Sequence, residues 1–405
     1  MEPEEQLFAT DRAQLRRWLP WLHLFRGFAI ALDLRKLLIC LCGLGVFLVG
    51  SNLAMQVTGG ADGSGTDTLL KLPIPEASEA RDLSGAVEWA AAVLLMPLRS
   101  VVEPGLWLLA IFAESPGRST GAVQLAWALL VWSFVGGAVV RLARRDVARG
   151  ERGPLAGAVR FTRKRYLSLL SAPLLPALAL AGLILLTVLA GFAGRIPGFG
   201  PLLLGVLWYV ALLLGAAQLA VMIGLFAGWP LMIATVSAEG ADAFEGFSRA
   251  FSYVFSRPWY LLWLVAVAAM YGVALLVIAS MFCSVAEGLS AMNVWAALGA
   301  ERTAELFGPR SDLAATRILQ SRHRVLELLL AAFAVSYVWS QVAMIYSLLR
   351  LSVDHVPLDD LIEEPSERGA SDLPLVGVAA SEAREQQLRQ SGQTDSSGEP
   401  SARST

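Results

Sequence analysis

The long apolar stretches of this chain lack charge. Six runs contain no Asp, Glu, Lys, Arg or His, which argues against a proton-coupled or voltage-sensing mechanism, because such chemistry needs a titratable or mobile charge at depth. Charged residues make up only 16% of the chain, against about 25% in soluble domains. Cysteine is equally sparse: Cys40, Cys42 and Cys283 have no spacing that suggests a metal site or a disulfide framework. His23, His323 and His355 lie far apart in different contexts, so nothing pairs them. Walker A, HExxH and CxxC patterns are absent, which removes the classes they define. A net charge of −2 excludes a strongly basic nucleic-acid binder.

What is present is apolar: 56% of the residues. A helix rising 1.5 Å per residue needs ~20 residues to cross ~30 Å of hydrocarbon. The six uncharged runs meet that length near 37–55, 122–140, 167–193, 202–227, 259–282 and 328–349. They predict an all-α, polytopic transmembrane bundle with about six spans, occupying 37–351. The N-terminus carries no small-residue cleavage site after a short apolar core, so the first span reads as a permanent anchor.

Cationic loops resist translocation, so Lys and Arg set the orientation. Residues 1–36 carry six, the 141–165 loop nine, 229–258 two, and the chain from Arg350 onward five, which together are 22 of the 32. Both termini are therefore expected in the cytoplasm of a bacterial cytoplasmic membrane.

Residues 21–34 place Trp21, Phe25, Phe28 and Leu32 opposite His23, Arg26 and Asp33, the pattern of an interfacial amphipathic helix. Residues 242–256 put Phe244, Phe247, Phe251 and Val254 opposite Glu245, Ser248, Arg249 and Ser252, predicting a second one along the cytoplasmic surface. Arg99, Glu103 and Pro104 interrupt 86–113, which reads as an external interfacial helix or a re-entrant hairpin; a seventh span would place the nine-charge loop outside. At 57–68, Asp62, Ser64 and Thr66 alternate as in a calcium loop, but Asp67 stands where the glycine is required, so a linker is expected. The tail 352–405 has eleven acidic residues against four Arg and is expected to be disordered. Spans two and three, and four and five, share an Arg-bearing helical connection with proline near the start of the second span, at Pro173 and Pro176 and at Pro258. That is compatible with duplication or with coincidental packing.

Gln218, Ser336, Ser340 and Gln341 are the polar candidates for the bundle interior, since an unpartnered amide in hydrocarbon is costly. They fit either a substrate path or interhelical hydrogen bonding. Arg144, Arg145, Arg163, Lys164 and Arg165 are candidate contacts to anionic lipid, although topology alone already demands cations there. Phe244, Phe247, Arg249 and Phe251 would form a cytoplasmic docking helix. Asp146, Glu151 and Arg152 are available as interfacial groups to a lipid-acting enzyme, in what reads as a solvated face. No cofactor or metal site is expected.

EGADAFEGFSRAFSYVFSRPWYLLW at 239–263 and IYSLLRLSVDHVPLDDL at 345–361 resemble uncharacterised multi-pass membrane proteins of bacteria, Planctomycetes-like in flavour. More distantly, the layout resembles the helical membrane domain attached to some glycerophosphodiester phosphodiesterases. The catalytic barrel and its acidic metal ligands are missing, so the resemblance implies no phosphodiesterase activity. Two readings follow. One is a non-catalytic envelope protein acting through helix packing and partner or lipid binding. The other is a permease-like transporter subunit whose helix 242–256 docks a cytoplasmic ATPase, with Ala243, Gly246 and Pro258 echoing the importer pattern and its Glu-Ala-Ala run missing.

Overall fold

The computed structural model describes residues 19–58, 93–112, 118–150, 153–307, 314–358 and 360. Met1–Leu361 and Ile362–Thr405 form separate units, and every described residue belongs to the first. The expectations for most of the 57–68 loop, for Glu151 and Arg152 and for the tail beyond residue 360 lie outside the described residues. Those that are described form helices and turns, with no strand among them.

A 3-10 segment Pro20–Arg26 leads into α1 (Gly27–Ala31) and then α2 (Leu34–Thr58). A turn at Met96–Leu98 opens α3 (Arg99–Phe112), followed by α4 (Arg118–Arg149), α5 (Leu155–Lys164), α6 (Tyr166–Ala193) and α7 (Gly200–Glu239). Next come α8 (Ala243–Ser256), α9 (Pro258–Phe307) and α10 (Ala314–Val353). Six of them, α2, α4, α6, α7, α9 and α10, are long and apolar enough to span a membrane. The chain is an all-α polytopic membrane protein.

Burial is distributed unevenly among these spans. In its most apolar 18-residue stretch 83% of the α10 residues are buried, and this helix forms the centre, against 11% in the corresponding stretches of α6 and α7. Leu178, Leu213 and Phe282 are exposed, as lipid-facing side chains must be. In hydrocarbon the hydrophobic effect does not draw helices together; close packing does, and glycine permits it. A Cβ added at Gly136 would lie 2.5 Å from the Trp339 ring. Trp339 cannot give way, being fully buried and edge-on to Trp229 at 5.6 Å. Gly136→Ala is expected to cost about 1–3 kcal/mol through overpacking of α4 on α10, read as a lower melting midpoint in detergent.

Two segments differ from expectation, and one follows it. Residues 229–238, counted with the cytoplasmic segment after the fourth span, continue α7 as buried helix. The Thr235 hydroxyl makes this possible by donating back to Leu231 O at 2.8 Å. The 141–165 connection is helical over most of its described length, as its Arg-bearing pattern implied, being the end of α4 and the whole of α5. The N-terminal segment buries Leu24, Gly27, Ile30 and Ala31 rather than the aromatic stripe. Trp21, Phe25 and Phe28 make edge contacts with Trp263, Tyr271 and Phe333 at its flank.

The 86–113 region is not a seventh span within its described part. α3 has 14 residues, about 21 Å, and packs on α4 and α7, with the Trp229 indole donating to Val101 O at 3.0 Å. Burial pushes the Glu103 carboxyl up to about 7 from its ordinary 4.5, with Arg99 at 3.9 Å opposing the shift. The folded state thus binds the proton more tightly than the unfolded chain. Its contribution is fully present below pH 4.5 and is lost as pH rises through about 7. Glu103→Gln is expected to flatten the fall in melting temperature between pH 5 and 8, an effect of roughly 2 kcal/mol.

Candidate functional site at the charged end of the bundle

Helix termini leave unpaired carbonyls that favour cations, and this chain answers that demand at one end of the bundle. There α2 and α9 begin, α4, α7 and α10 end, and α8 lies between α7 and α9. α7 stops at Gly240, whose φ of +70° suits glycine, and Asp242 caps α8 by accepting from Glu245 N at 2.8 Å. Arg141 of α4 reaches across to donate to Ser237 O and Ala238 O at 3.2 and 3.4 Å. Its guanidinium also sits 4.1 Å from the centre of the Phe161 ring on α5.

Glu239 is the hub, its side chain 4% exposed. It pairs with Arg249 of α8 and with Arg350 Nε of α10 at 3.0 Å, and accepts from the Tyr346 hydroxyl. Arg350 also pairs with Asp360 at 3.0 Å. Arg144 donates to Ser347 Oγ at 2.5 Å and to Asp360 O at 3.1 Å, joining α4 to α10. The Tyr253 hydroxyl donates to Asp354, and burial foremost, then Asp354, raises its pKa. Burial alone would lower Arg249, but Glu239 and Glu245 outweigh it and raise it. On the far side of α4, Lys36 of α2 pairs with Asp146 and donates to Ile30 O at 2.8 Å.

Each carboxylate named here has a cation, a hydroxyl or a backbone N–H against it, so the arrangement ties helix ends together. Uncharged apolar windows implied an uncharged interior, and the structure corrects this. The spanning helices run past those windows and bury Lys36, Arg141, Arg144, Glu239 and Arg350 at their ends. Asp146, expected on a solvated face, is the partner of buried Lys36.

Of the interior candidates, Ser336, Ser340 and Gln341 are buried in α10. Ser336 Oγ donates to Ala31 O at 2.8 Å and Gln341 Nε2 to Leu24 O at 2.9 Å, binding the N-terminal segment to the central helix. Gln218 is only half-buried and outside the core, donating to Leu183 O and Thr187 Oγ1 at 3.1 and 2.8 Å within the α6–α7 hairpin. On the docking candidate α8, Phe247 and Phe251 turn toward the bundle, with Gly224 against the Phe251 ring, and Arg249 is engaged by Glu239. Phe244 alone of the four remains widely exposed, at 67%. Among the lipid candidates, Arg144 is buried and held by protein groups, Arg145 and Arg165 are half-buried, and Arg163 and Lys164 are exposed on α5.

No known protein family, curated protein or solved structure matches this chain. Its class therefore rests on its own six spanning helices.

Proposed function

We propose that this chain is a non-catalytic multi-pass protein of a bacterial cytoplasmic membrane, acting through helix packing and through a partner protein or lipid held at its charged end. The observation that carries this reading is the division of labour among the charges. The inner layer, Glu239, Arg350, Arg144, Lys36 and Asp146, is paired within the protein. The outer layer, Arg160, Arg163 and Lys164 on α5 with Phe244 on α8, is exposed. Cations on that surface can contribute ~1 kcal/mol each to contact with an anionic leaflet. The cation count supports a cytoplasmic position for this end. The permease-subunit alternative has less support, because an ATPase would find little of α8 beyond Phe244 and Phe255 exposed among its large apolar side chains.

Photo-crosslinkers at Phe244 and Arg163, with Ile278 on α9 as the control, test the reading by mass spectrometry of the adducts. A discrete protein or anionic lipid captured at the first two positions and not at the third supports it. Equal, unselective adducts at all three overturn it, and stoichiometric capture of an ATPase at Phe244 replaces it with the permease reading.

A further inference from the structure

A partly open groove of about 580 Å³ lies between α2, α4, α5 and the first residue of α6, adjoining the charged end. Small-ligand sites have volumes of this order. Leu38, Cys42 and Val46 line it from α2, and Trp127 and Leu130 from α4. From Leu38 to Val46 the helix rises about 12 Å, so the groove runs from the charged end into the depth of the bilayer. Leu38, Val46 and Leu130 are exposed, which leaves its side open to hydrocarbon. Apart from the Cys42 thiol, its polar side chains are already bonded: the Trp127 indole donates to Phe47 O at 3.1 Å, and the Tyr166 hydroxyl to Leu130 O at 2.9 Å. The wall suits an alkyl chain and offers nothing to a head group.

Head-group chemistry is found instead on α5, whose Leu155 and Val159 close one end of the groove. The helix has distinct sides. Ala158, Phe161 and Thr162 are buried against the bundle, whereas Arg160, Arg163 and Lys164 are exposed. At about 3.6 residues per turn, Arg163 stands one turn beyond Val159 and about 40° round from it, the nearest of the three cations to the groove side, with Arg160 as its neighbour on the outer face. Unlike Arg249 and Arg350, these three are paired with no carboxylate among the described residues. Arg35 of α2 donates to Gly153 O at 2.5 Å, fastening the start of α2 to the chain just before α5 and so fixing the mouth of the groove.

We propose that the groove and the outer face of α5 together bind an anionic glycerophospholipid, one acyl chain lying between α2 and α4 and the phosphate against Arg163 and Arg160. An uncharged groove beside unpaired cations matches a ligand that is apolar at one end and negative at the other. A zwitterionic head group cancels much of the attraction, so charge selects among lipids whose chains fit equally well. This rests on the lipid-binding reading above and adds to it a seated chain.

Cys42 reports on that chain, because it is exposed and lines the groove, while Cys40 is buried. The test uses the purified full chain with Cys283→Ser, in detergent, with palmitoyl-oleoyl phosphatidylglycerol or phosphatidylcholine added at equal concentration. Native mass spectrometry is expected to show the phosphatidylglycerol bound about tenfold tighter. It should also slow alkylation of Cys42 by N-ethylmaleimide, whereas inorganic phosphate should not. Arg160→Gln with Arg163→Gln is expected to abolish the lipid preference. Val46→Trp, which fills the groove from an exposed position, should weaken phosphatidylglycerol binding while the melting profile shows a folded protein. Equal binding of the two lipids overturns the proposal, as does a Cys42 rate unaffected by bound phosphatidylglycerol, or protection by phosphate alone. An unprotected Cys42 beside anionic-lipid adducts at Arg163 removes the seated chain and leaves the reading above standing, whereas unselective adducts overturn that reading itself.

Discussion

Glu239→Ala is expected to destabilise the protein in detergent by about 3–5 kcal/mol, the cost of leaving a buried ion pair half-made. The carboxylate stands between Arg350, 3.0 Å away, Arg249 and the Tyr346 hydroxyl. Its removal strands a guanidinium on a side chain 7% exposed, with Asp360 as the remaining carboxylate. Glu239→Gln retains an oxygen for Tyr346 but presents an amide N–H₂ to one arginine, so an intermediate loss is expected. Combining Glu239→Gln with Arg350→Gln should recover part of it, because both buried charges of the pair are then removed and Asp360, half exposed, is left to solvent. Arg249→Ala provides the contrast: that side chain is 37% exposed, and solvent screening limits its loss to about 1 kcal/mol. The measurement is a double-mutant cycle on Glu239 and Arg350 by thermal or denaturant melting. A coupling near zero would show that α7 and α10 are not joined here.

The spans were legible because their signal is length without charge, and six windows sufficed to find six helices. Their ends were not, because hydropathy fades before the helix does. α7 runs to Glu239, twelve residues past the apolar window that ended at 227. A sharper signal was present in Gly240, Asp242 and Glu245, where a glycine stop is followed by an aspartate cap with a glutamate three residues on. That pattern closes one helix and opens the next, and it would have placed Glu239 at a helix end beside Arg249. The partners from α4 and α10 carry no such local mark. Arg141, Arg144 and Arg350 read as topology charges, since the cations that hold a loop inside are chemically the same as cations that cap a neighbouring helix. The polar candidates divide similarly: an amide in a span must find a partner, but sequence does not say whether it does so in the core, as Gln341 does, or within a peripheral hairpin, as Gln218 does.

The second large effect is expected at the start of α2. Lys36 is fully buried, and its ammonium has Asp146 of α4 and Ile30 O as its hydrogen-bond partners. Asp146→Ala leaves that cation with a carbonyl at 2.8 Å and no carboxylate bonded to it, a loss of about 3–5 kcal/mol. The damage should be local before it is global, because the pair fixes the turn joining α1 to α2. Cys40, one turn beyond Lys36, is buried, whereas Cys42 is exposed. With Cys42 and Cys283 changed to Ser, alkylation by a membrane-permeant maleimide reports on that turn alone. Cys40 is expected to be protected in the parent and reactive in Asp146→Ala. Lys36→Met combined with Asp146→Leu replaces the ion pair with apolar groups and should restore protection, since the cost arises from an unpaired charge and not from the loss of the pair itself. Protection unchanged in Asp146→Ala would mean that α2 is held by its apolar contacts, with Val135 against Gly43 and Trp132 against Phe47, and that the buried pair follows that packing instead of directing it.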